Sequence, residues 1–346
     1  MILAIESSCD ESALALFDPA RGIIGEWVHT QAALHGEYGG VVPDIASREH
    51  LRHLPGLLRL LPAGFSPETL RQIAVTRGPG LVGSLALGIA FAKALALAWR
   101  KPLVGINHLR GHLFSPFIAL HAGAPEHFRE NLARQLPHLG LVVSGGNTLL
   151  VEIARDGHTR IHAQTVDDAA GEAFDKGAKL LGLPYPGGAL IEQHARTGDA
   201  TAHNFPRGIP EKNDPRFSFS GLKTSLRYKL EKLDDTALAT AMPGICASYQ
   251  AAIVGQLLAK THARLAHNTY ASLGLSGGVA NNQALRDAFA TLAKRHHLPL
   301  HIACPRHSGD NAAMIAFAAH ADTPPPPRAT TDWTLGFEPS LTIEQP

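Results

Sequence analysis

The chain has 346 residues, of which 31 are Lys or Arg and 30 are Asp or Glu, so its formal net charge is +1. A hydrophobic fraction of 45% excludes intrinsic disorder as the main state, and the length suits about two ordinary domains. The balanced charge excludes a protein that binds nucleic acid by bulk charge alone, but not one with a local basic patch. The 20 histidines are many for a residue that commonly binds metals.

The cysteines and the N-terminus predict a reduced, cytoplasmic protein. Cys9, Cys246 and Cys304 form no C-x-x-C pair and cannot all pair within one chain, which favours a reducing compartment. The first residues, MILAIESSCD, lack the basic region and the long apolar run of a signal peptide. Residues 81–98 approach the length of a membrane span, but Lys93 lies inside them. We therefore interpret them as a buried helix and expect no membrane association.

The first half of the chain predicts a sheet with flanking helices. Short apolar runs between turn-forming residues predict strands at 2–7, 13–17, 23–30, 72–76 and 102–106. Apolar periodicity predicts helices over 44–61 and 83–99, and another that begins near 108.

The second half repeats this pattern. Strands are predicted at 139–144, 148–154, 159–164, 272–276 and 300–304, and helices at 168–181, 282–295 and 310–320. Residues 3–18 and 139–156 share the order strand, small polar turn, strand, which indicates an internal duplication. The duplication predicts two α/β domains with a nucleotide cleft between them. Their predicted limits are 1–118, joined by the tail 323–346, and 119–322.

The tail is predicted to leave the repeating α/β pattern. The four prolines Pro324 to Pro327 favour polyproline II. We expect Trp333 and Phe337 to pack back on the rest of the chain.

Glycine-rich turns are the candidate phosphate-binding elements. Gly78 to Gly83 fits G-x-G-x-x-G, but no acidic residue occurs between Glu68 and Glu126, which disfavours a dinucleotide site. A P-loop motif is absent. The turns 7–12, 144–148 and 277–278 offer hydroxyls and accessible backbone N–H groups. Each alone is also an ordinary hairpin feature.

His108 and His112 have the spacing that places two imidazoles on one face of a helix. Such a pair can chelate a metal, although two unrelated histidines give the same spacing. Asp310 is a candidate third ligand because it lies at a junction between a loop and a helix. The H-E-x-x-H motif is absent and Arg110 stands between the histidines, so a peptidase mechanism has little support.

Several motifs in this order resemble one family, the bacterial tRNA N6-adenosine threonylcarbamoyltransferases, once called O-sialoglycoprotein endopeptidases. The resemblance spans about residues 1 to 320. Its longest motif, DDAAGEAFDKGAKLLGLPYPGG, excludes a chance match. The other matching motifs are IESSCDES, YGGVVPDIASREH, TRGPGLVGSL, the His108 and His112 pair, VVSGGNT, FSFSGLKT, SGGVANN and GDNAAMIA.

The resemblance implies a duplicated, actin/Hsp70/sugar-kinase-like fold and an acyl transfer reaction. The threonylcarbamoyl group of L-threonylcarbamoyl-adenylate is transferred to N6 of the adenosine 3′ of the anticodon, in tRNAs that read codons starting with A. The products are N6-threonylcarbamoyladenosine and AMP. The resemblance also implies two partner proteins, a smaller paralogous subunit and an ATPase.

The resemblance assigns roles to particular residues. One divalent metal, Fe²⁺ or alternatively Zn²⁺, is implied at His108, His112 and Asp310. Asp10 and Glu11 match the acidic pair that the family uses in catalysis. Adenylate and carbamoyl contacts are implied for Val142, Val143, Ser144, Gly145, Gly146, Asp175, Gly188, Glu192 and Asn282. Glu192 stands where the family often has Asp.

Three residues depart from the usual family pattern, namely Arg110, Asn147 and Arg216. Arg110 and Arg216 are candidates for altered contacts with a partner or with tRNA. Two other hypotheses from the residues are a small-molecule kinase on the same fold and a non-catalytic nucleotide-binding scaffold. The paired histidines argue against the kinase, whose Mg²⁺ prefers oxygen ligands. Asp10 and Glu11 argue against the scaffold.

Overall fold

A computed structural model describes residues 1–211, 214–322 and 334–345. The chain divides into two compact units. The first comprises Met1–Leu136, Ile153–Arg160 and Ala303–Pro346, and the second comprises Pro137–Glu152 and Ile161–Ile302. The domain limits given above stay a prediction, because a compact unit need not be a domain that folds by itself.

The described residues form strands and helices close to the predicted positions. The strands are β1 (Ile2–Glu6), β2 (Glu11–Asp18), β3 (Gly22–Thr30), β4 (Gln72–Gly78), β5 (Leu103–Asn107), β6 (His138–Val143), β7 (Thr148–Ile153), β8 (Thr159–Thr165), β9 (Arg216–Phe217), β10 (Ser272–Ser276) and β11 (Leu300–Ile302). The helices are α1 (Ala32–Gly36), α2 (Pro43–Leu58), α3 (Val82–Trp99), α4 (His108–Phe114), α5 (Ile118–Gly123), α6 (Phe128–Arg134), α7 (Ala170–Leu180), α8 (Gly187–Ala195), α9 (Ser220–Leu230), α10 (Asp235–His267), α11 (Gln283–Arg295) and α12 (Ala312–Ala321).

The sheet of the first unit has the order β3-β2-β1-β4-β5. β2 is antiparallel to β1 and β3, whereas β4 is parallel to β1 and β5. Every residue of β1 is buried, which is typical of a strand that is covered on both faces. Helix α12, which the predicted limits assign to the second domain, packs on β1 and β2 in the first unit.

The sheet of the second unit repeats this order. Its strands lie in the order β11-β10-β6-β7-β8-β9, and β10 is parallel to both β6 and β11. Without the added strand β9, the order β8-β7-β6-β10-β11 matches β3-β2-β1-β4-β5 strand for strand. The duplicated α/β fold predicted from the sequence is therefore confirmed.

Two helices in the described part of the chain, α3 and α10, are long and apolar enough to cross a membrane by length and composition alone. Both pack within their own units, with 39% of the apolar window of α3 and 50% of that of α10 buried. The buried residues of α3 include Ser84, Leu85, Gly88, Ile89 and Ala92. This spacing places them on one helical face, as in a helix that lies against a core.

The end of the chain contacts the first unit. Leu341 and Ile343 are buried, whereas Phe337 is 41% exposed, so the expectation that Phe337 packs back is wrong. The Asn107 side chain donates hydrogen bonds to the carbonyl oxygens of Thr342 (2.8 Å) and Gln345 (2.9 Å). The prolines Pro324 to Pro327 and Trp333 lie outside the described residues.

Candidate metal centre and substrate site

The fold places both histidines at the carboxyl end of β5. The Asn107 side chain accepts a hydrogen bond from the Leu109 backbone N–H (2.9 Å) and caps the start of α4. His108 is therefore the first residue of α4, and His112 follows one turn later on the same face. Both side chains are buried. The predicted helical pairing of the two imidazoles is thus present.

Asp310 approaches this pair from the start of α12. His112 Nε2 lies 3.0 Å and His108 Nε2 lies 3.5 Å from Asp310 Oδ1. The two imidazole rings are nearly perpendicular, at 89°, with centroids 4.7 Å apart. One ligand atom from each residue lies within 4.8 Å of the other two. Residues 198 or more positions apart in the chain thus converge on one small volume.

Glu6, which the sequence analysis did not single out, orients His108. Its side chain is fully buried at the end of β1. Glu6 Oε2 accepts hydrogen bonds from Thr76 Oγ1 (2.6 Å) and from His108 Nδ1 (3.0 Å). When Nε2 is deprotonated, a proton held on Nδ1 by Glu6 leaves the Nε2 lone pair of His108 available to a metal. A glutamate that ends an otherwise apolar buried strand was the available sequence signal.

The buried charges of this cluster perturb one another. Burial lowers the pKa of His108, but Asp310 and Glu6 raise it more, to about 9. Burial raises the pKa of Asp310, yet the two histidines hold it at about 2. The pKa of His112 is lowered, chiefly by burial. In the absence of a metal, Asp310 is therefore ionised and balances a protonated His108.

This donor set fits a divalent transition metal. Two imidazoles and one carboxylate suit iron(II) or zinc and leave further coordination positions open. The buried Glu6 carboxylate behind His108 supplies the outer-shell partner that such a ligand commonly has. Magnesium, which a kinase needs, prefers oxygen ligands. The geometry therefore favours a metalloenzyme over the kinase hypothesis.

A second group of potential ligands in the described residues fits a metal less well. His29, Glu49 and His53 also bring three ligand atoms within 4.8 Å. However, the rings of His29 and His53 are stacked 3.5 Å apart at 16°. A metal lies close to the plane of each imidazole that binds it, and parallel stacked rings cannot satisfy this for one ion. This group is therefore not a preformed metal site.

Replacing Glu6 by glutamine is expected to weaken metal binding by about 10- to 100-fold. The amide keeps the shape of the side chain but removes the charge that holds the proton on His108 Nδ1. Affinity is measured by competition with a chelator. Thr76→Val, which removes another hydrogen bond to the same carboxylate, is the control and should have a smaller effect. Unchanged affinity in Glu6→Gln would contradict the orienting role.

The acidic pair of the first turn lies in the same unit. Asp10 is buried and Glu11 begins β2, where its Oε1 accepts a hydrogen bond from Thr30 Oγ1 (3.3 Å). Burial, together with the charges of Asp310 and Asp10, raises the pKa of Glu11 to about 10. Glu11 is therefore protonated at neutral pH while no metal is bound. Asp10 and Asp310 thus both lie close enough to Glu11 to raise its pKa.

The glycine turn of the second unit follows β6. Val142 and Val143 are buried at the end of this strand. The Ser144 N–H donates to the Asn147 carbonyl oxygen (2.8 Å), and the Asn147 N–H donates to Ser144 Oγ (3.1 Å). Gly145–Gly146 form the exposed tip, where added Cβ atoms would meet nothing within 4 Å. The tip therefore offers accessible backbone N–H groups.

Two close approaches bring other backbone segments to this turn. The Gly171 N–H, in the first turn of α7, donates to the Ser144 carbonyl oxygen (3.2 Å), and a Cβ at Gly171 would lie 2.5 Å from that oxygen. Gly277 has φ +90°, and a Cβ there would lie 2.1 Å from the Val143 carbonyl oxygen. Glycine is required at both positions. The start of α7 and the loop before α11 thus meet the end of β6.

The remaining predicted substrate residues connect neighbouring helices. Asp175 accepts a hydrogen bond from the Gly187 N–H (2.8 Å) at the start of α8, next to Gly188. Glu192 accepts one from the Gln283 N–H (2.9 Å) at the start of α11. Both carboxylates are thus engaged with backbone N–H groups and fix the helices around the turn.

Asn282 has a structural role that the resemblance did not indicate. Its side-chain oxygen accepts a hydrogen bond from the Leu285 N–H (3.0 Å) and caps α11. Its amide nitrogen donates to Gln250 Oε1 (2.6 Å) on α10. All nine predicted adenylate and carbamoyl residues belong to the second unit, and the predicted metal ligands belong to the first.

The three residues that depart from the family pattern lie in different environments. Arg110 is 2% exposed and pairs with the buried Asp322, with Thr159 Oγ1 and with the Ile343 carbonyl oxygen. A buried guanidinium cannot itself contact a partner or tRNA, so the structure indicates a structural role for Arg110. Arg216 is exposed and pairs with Asp214 (2.6 Å). Asn147 closes the glycine turn.

Sequence comparisons identify relatives along nearly the whole chain. The family model described as "TsaD: tRNA N6-adenosine threonylcarbamoyltransferase" matches residues 22–317. The chain is 48% identical over 320 residues to the tRNA N6-adenosine threonylcarbamoyltransferase of Anaeromyxobacter sp. (strain Fw109-5), a match that covers 92% of each protein. It is 41% identical over 347 residues to the protein of the same name from Burkholderia vietnamiensis (strain G4 / LMG 22486), covering 98% of the chain and 97% of that relative.

Comparison with solved structures shows the fold. The T. kodakarensis HypF structure has a TM-score of 0.57 at 14% identity, and the match covers 92% of this chain and 47% of HypF. A full-length HypF in the phosphate- and nucleotide-bound form has a TM-score of 0.55 at 10% identity. HypF and this chain share the actin/Hsp70/sugar-kinase type of fold, so the predicted fold class is confirmed.

Proposed function

Because the chain belongs to the tRNA N6-adenosine threonylcarbamoyltransferase family, we propose that its metal cluster, acidic pair and glycine turn serve one acyl transfer. The chain is an acyltransferase. It transfers the threonylcarbamoyl group from L-threonylcarbamoyl-adenylate to N6 of the adenosine 3′ of the anticodon in tRNAs that read codons starting with A. The convergence of two imidazoles and a carboxylate within 4.8 Å is the observation that carries the assignment of the centre.

The metal ligands in this proposal are His108 Nε2, His112 Nε2 and Asp310 Oδ1, and the metal is Fe²⁺, with Zn²⁺ as the alternative. When bound, such an ion supplies Lewis acidity and a template for the oxygens of the threonylcarbamoyl group. Glu6 holds the His108 ring in place through Nδ1 (3.0 Å). Because the ligands are buried and supported by hydrogen bonds, the centre needs little rearrangement before the reaction.

The adenylate site in this proposal is built on the glycine turn of the second unit. The N–H groups of Gly145 and Gly146 and the N-terminus of α7 suit the negative charge of a phosphate. Val142, Val143 and Ser144 set the position of this turn. Asp175, Gly188 and Asn282 shape the surrounding helix ends, and Glu192 has a carboxylate of suitable chemistry for a ribose hydroxyl.

The acidic pair supplies the proton acceptor. The N6 lone pair attacks the carbamoyl carbonyl carbon, the bond from that carbon to the phosphate oxygen breaks, and AMP leaves with the electron pair. The proton lost from N6 passes to a carboxylate. We assign this role to Asp10, because a Glu11 carboxylate oxygen already accepts a hydrogen bond from Thr30 Oγ1 (3.3 Å).

The proposal includes the cellular setting of the reaction. The substrates are tRNA and L-threonylcarbamoyl-adenylate. The partners are a smaller paralogous subunit and an ATPase, and the protein acts in the cytoplasm. The free cysteines Cys9, Cys246 and Cys304 are compatible with a reducing compartment.

Reconstitution tests the proposed function directly. The purified chain is incubated with L-threonylcarbamoyl-adenylate, an unmodified tRNA and the two partner proteins, and the digested nucleosides are measured by mass spectrometry. We expect N6-threonylcarbamoyladenosine and an equal amount of AMP. Asp10→Asn should lose most of the product while it retains the metal. AMP release without the modified nucleoside would indicate hydrolysis and would overturn the assignment of transfer.

A further inference from the structure

One segment of the second unit has more basic than acidic residues, although the charge of the whole chain is nearly balanced. Residues 236–302 contain one acidic residue, Asp287. The Lys and Arg residues of this segment are Lys260, Arg264, Arg286, Lys294 and Arg295. Since the whole chain has nearly equal numbers of acidic and basic residues, the excess of positive charge here is local.

The fold brings the two basic ends of this segment together. α10 ends with Arg264 and His267 in its last turn, and α11 ends with Lys294 and Arg295. His262 Nδ1 on α10 lies 3.0 Å from His296 Nε2, the residue that follows α11. The C-terminal ends of α10 and α11 therefore form one surface, which we call the basic helix-end surface.

The charged groups of this surface are available to a ligand. Lys294, Arg295, His267 and His297 are exposed, whereas Arg264, whose side chain is 30% exposed, pairs with Glu152 (3.5 Å). Lys294 and Arg295 make no ion pair within the described residues. Positive charge at a helix C-terminus also stabilises the helix, and the exposed Lys294 and Arg295 remain accessible to a ligand in addition.

A cavity of about 200 Å³ opens beside the same helix end. His162, Lys260, Arg264 and His267 contribute its basic lining, and Asp214 also lines it.

The acidic groups near this cavity are already engaged. Asp214 is paired with Arg216 (2.6 Å). Glu152 accepts hydrogen bonds from His162 (2.6 Å) and Tyr270 (3.2 Å). The cations of the cavity are engaged as well, because Lys260 donates to the carbonyl oxygens of Glu211 (2.6 Å) and Asp214 (2.8 Å) and Arg264 pairs with Glu152 (3.5 Å). The exposed Lys294 and Arg295 are therefore the groups of this surface that can bind an anion.

We propose that the basic helix-end surface binds the phosphate backbone of the tRNA substrate. This inference rests on the proposed function, because that function makes a large polyanion the substrate. Binding of phosphates by Lys and Arg is independent of sequence and releases counterions. A local surface of this kind supplies affinity for tRNA in a chain whose net charge is only +1.

The test is charge reversal with a matched control. Lys294→Glu with Arg295→Glu removes the two exposed cations at the end of α11. Arg100→Glu with Lys101→Glu makes the same change in net charge just after α3, in the first unit. Binding of an unmodified tRNA transcript is measured over a range of salt concentrations, and thermal unfolding checks that each variant is folded.

We expect the α11 variant to bind tRNA about tenfold or more weakly at low salt, with the slope of log K against log salt reduced by about 2. Its KM for tRNA should rise, while its KM for L-threonylcarbamoyl-adenylate stays unchanged. The control variant should bind like the wild type. Equal tRNA binding by the α11 variant and the wild type would contradict the proposed role of the basic helix-end surface. Equal losses of tRNA binding in both variants would contradict it too.

The same experiment separates this inference from the proposed function. If the wild-type chain forms N6-threonylcarbamoyladenosine and the α11 variant binds tRNA normally, only the tRNA-binding role of the surface is contradicted. A wild-type chain that binds tRNA through this surface but forms no modified nucleoside supports the surface and counts against the proposed function.

Discussion

Replacing His112 by alanine is expected to reduce formation of N6-threonylcarbamoyladenosine by more than about a hundredfold and to remove the bound metal. His112 is fully buried and its Nε2 lies 3.0 Å from Asp310 Oδ1. Loss of a metal ligand should exceed the roughly 10- to 100-fold effect typical of an outer-shell partner. Metal content by elemental analysis and nucleoside formation by mass spectrometry are measured on the same preparation.

His121→Ala provides the matched control for this prediction. His121 is also a buried histidine of the first unit, and its Nε2 hydrogen-bonds to the Pro19 carbonyl oxygen (3.0 Å). Its loss should lower stability but leave the metal content intact. Retention of the metal by His112→Ala, or an equal loss of metal in His121→Ala, would show that the ligand assignment is wrong.

Replacing Arg110 by alanine is expected to lower the free energy of unfolding by about 3–5 kcal/mol. The guanidinium and the Asp322 carboxylate are both buried and paired, and Arg110 also donates to Thr159 Oγ1 (2.9 Å) and to the Ile343 carbonyl oxygen (3.1 Å). Truncation leaves the buried carboxylate without its counter-charge. Chemical denaturation of the metal-free protein measures the loss without a contribution from the adjacent ligands.

The double variant Arg110→Met with Asp322→Leu distinguishes charge from packing. It removes both charges and retains apolar volume, so it should lose less stability than Arg110→Ala. If Arg110→Ala unfolded at the same denaturant concentration as the wild type, the buried pair would have no stabilising role. Both variants lose the bonds to Thr159 and Ile343, so a greater loss in the double variant would instead show that the packing of the two new apolar side chains dominates.

Some parts of the fold could not be predicted from local sequence patterns. Helix α10, Asp235–His267, was not predicted, although it has 33 residues. Its sequence contains Pro243 and lacks a clear amphipathic period, since the helix packs on α8 and α11 along much of its length. A helix with several buried faces gives no simple period of 3.6.

The histidines show the same limit. Their number suggested metal binding, but several have buried structural partners. His35 bonds to Gln31 (3.0 Å), His50 to Ser12 Oγ (2.7 Å) and His138 to Ser272 Oγ (2.7 Å). These partners lie on other turns or strands, so composition alone could not separate them from His108 and His112.

The duplication, the i, i+4 histidine pair, the glycine turns and the family are evident from the amino-acid sequence alone. These features are local, because strand, turn and helix signals depend on residues that are close in the chain. The three-dimensional fold determines which distant groups meet. It placed Asp310 beside His112, Glu6 behind His108, Asp322 against Arg110, and the end of α10 beside that of α11. Contacts between residues far apart in the chain follow from the packing of whole elements, and no short motif encodes them.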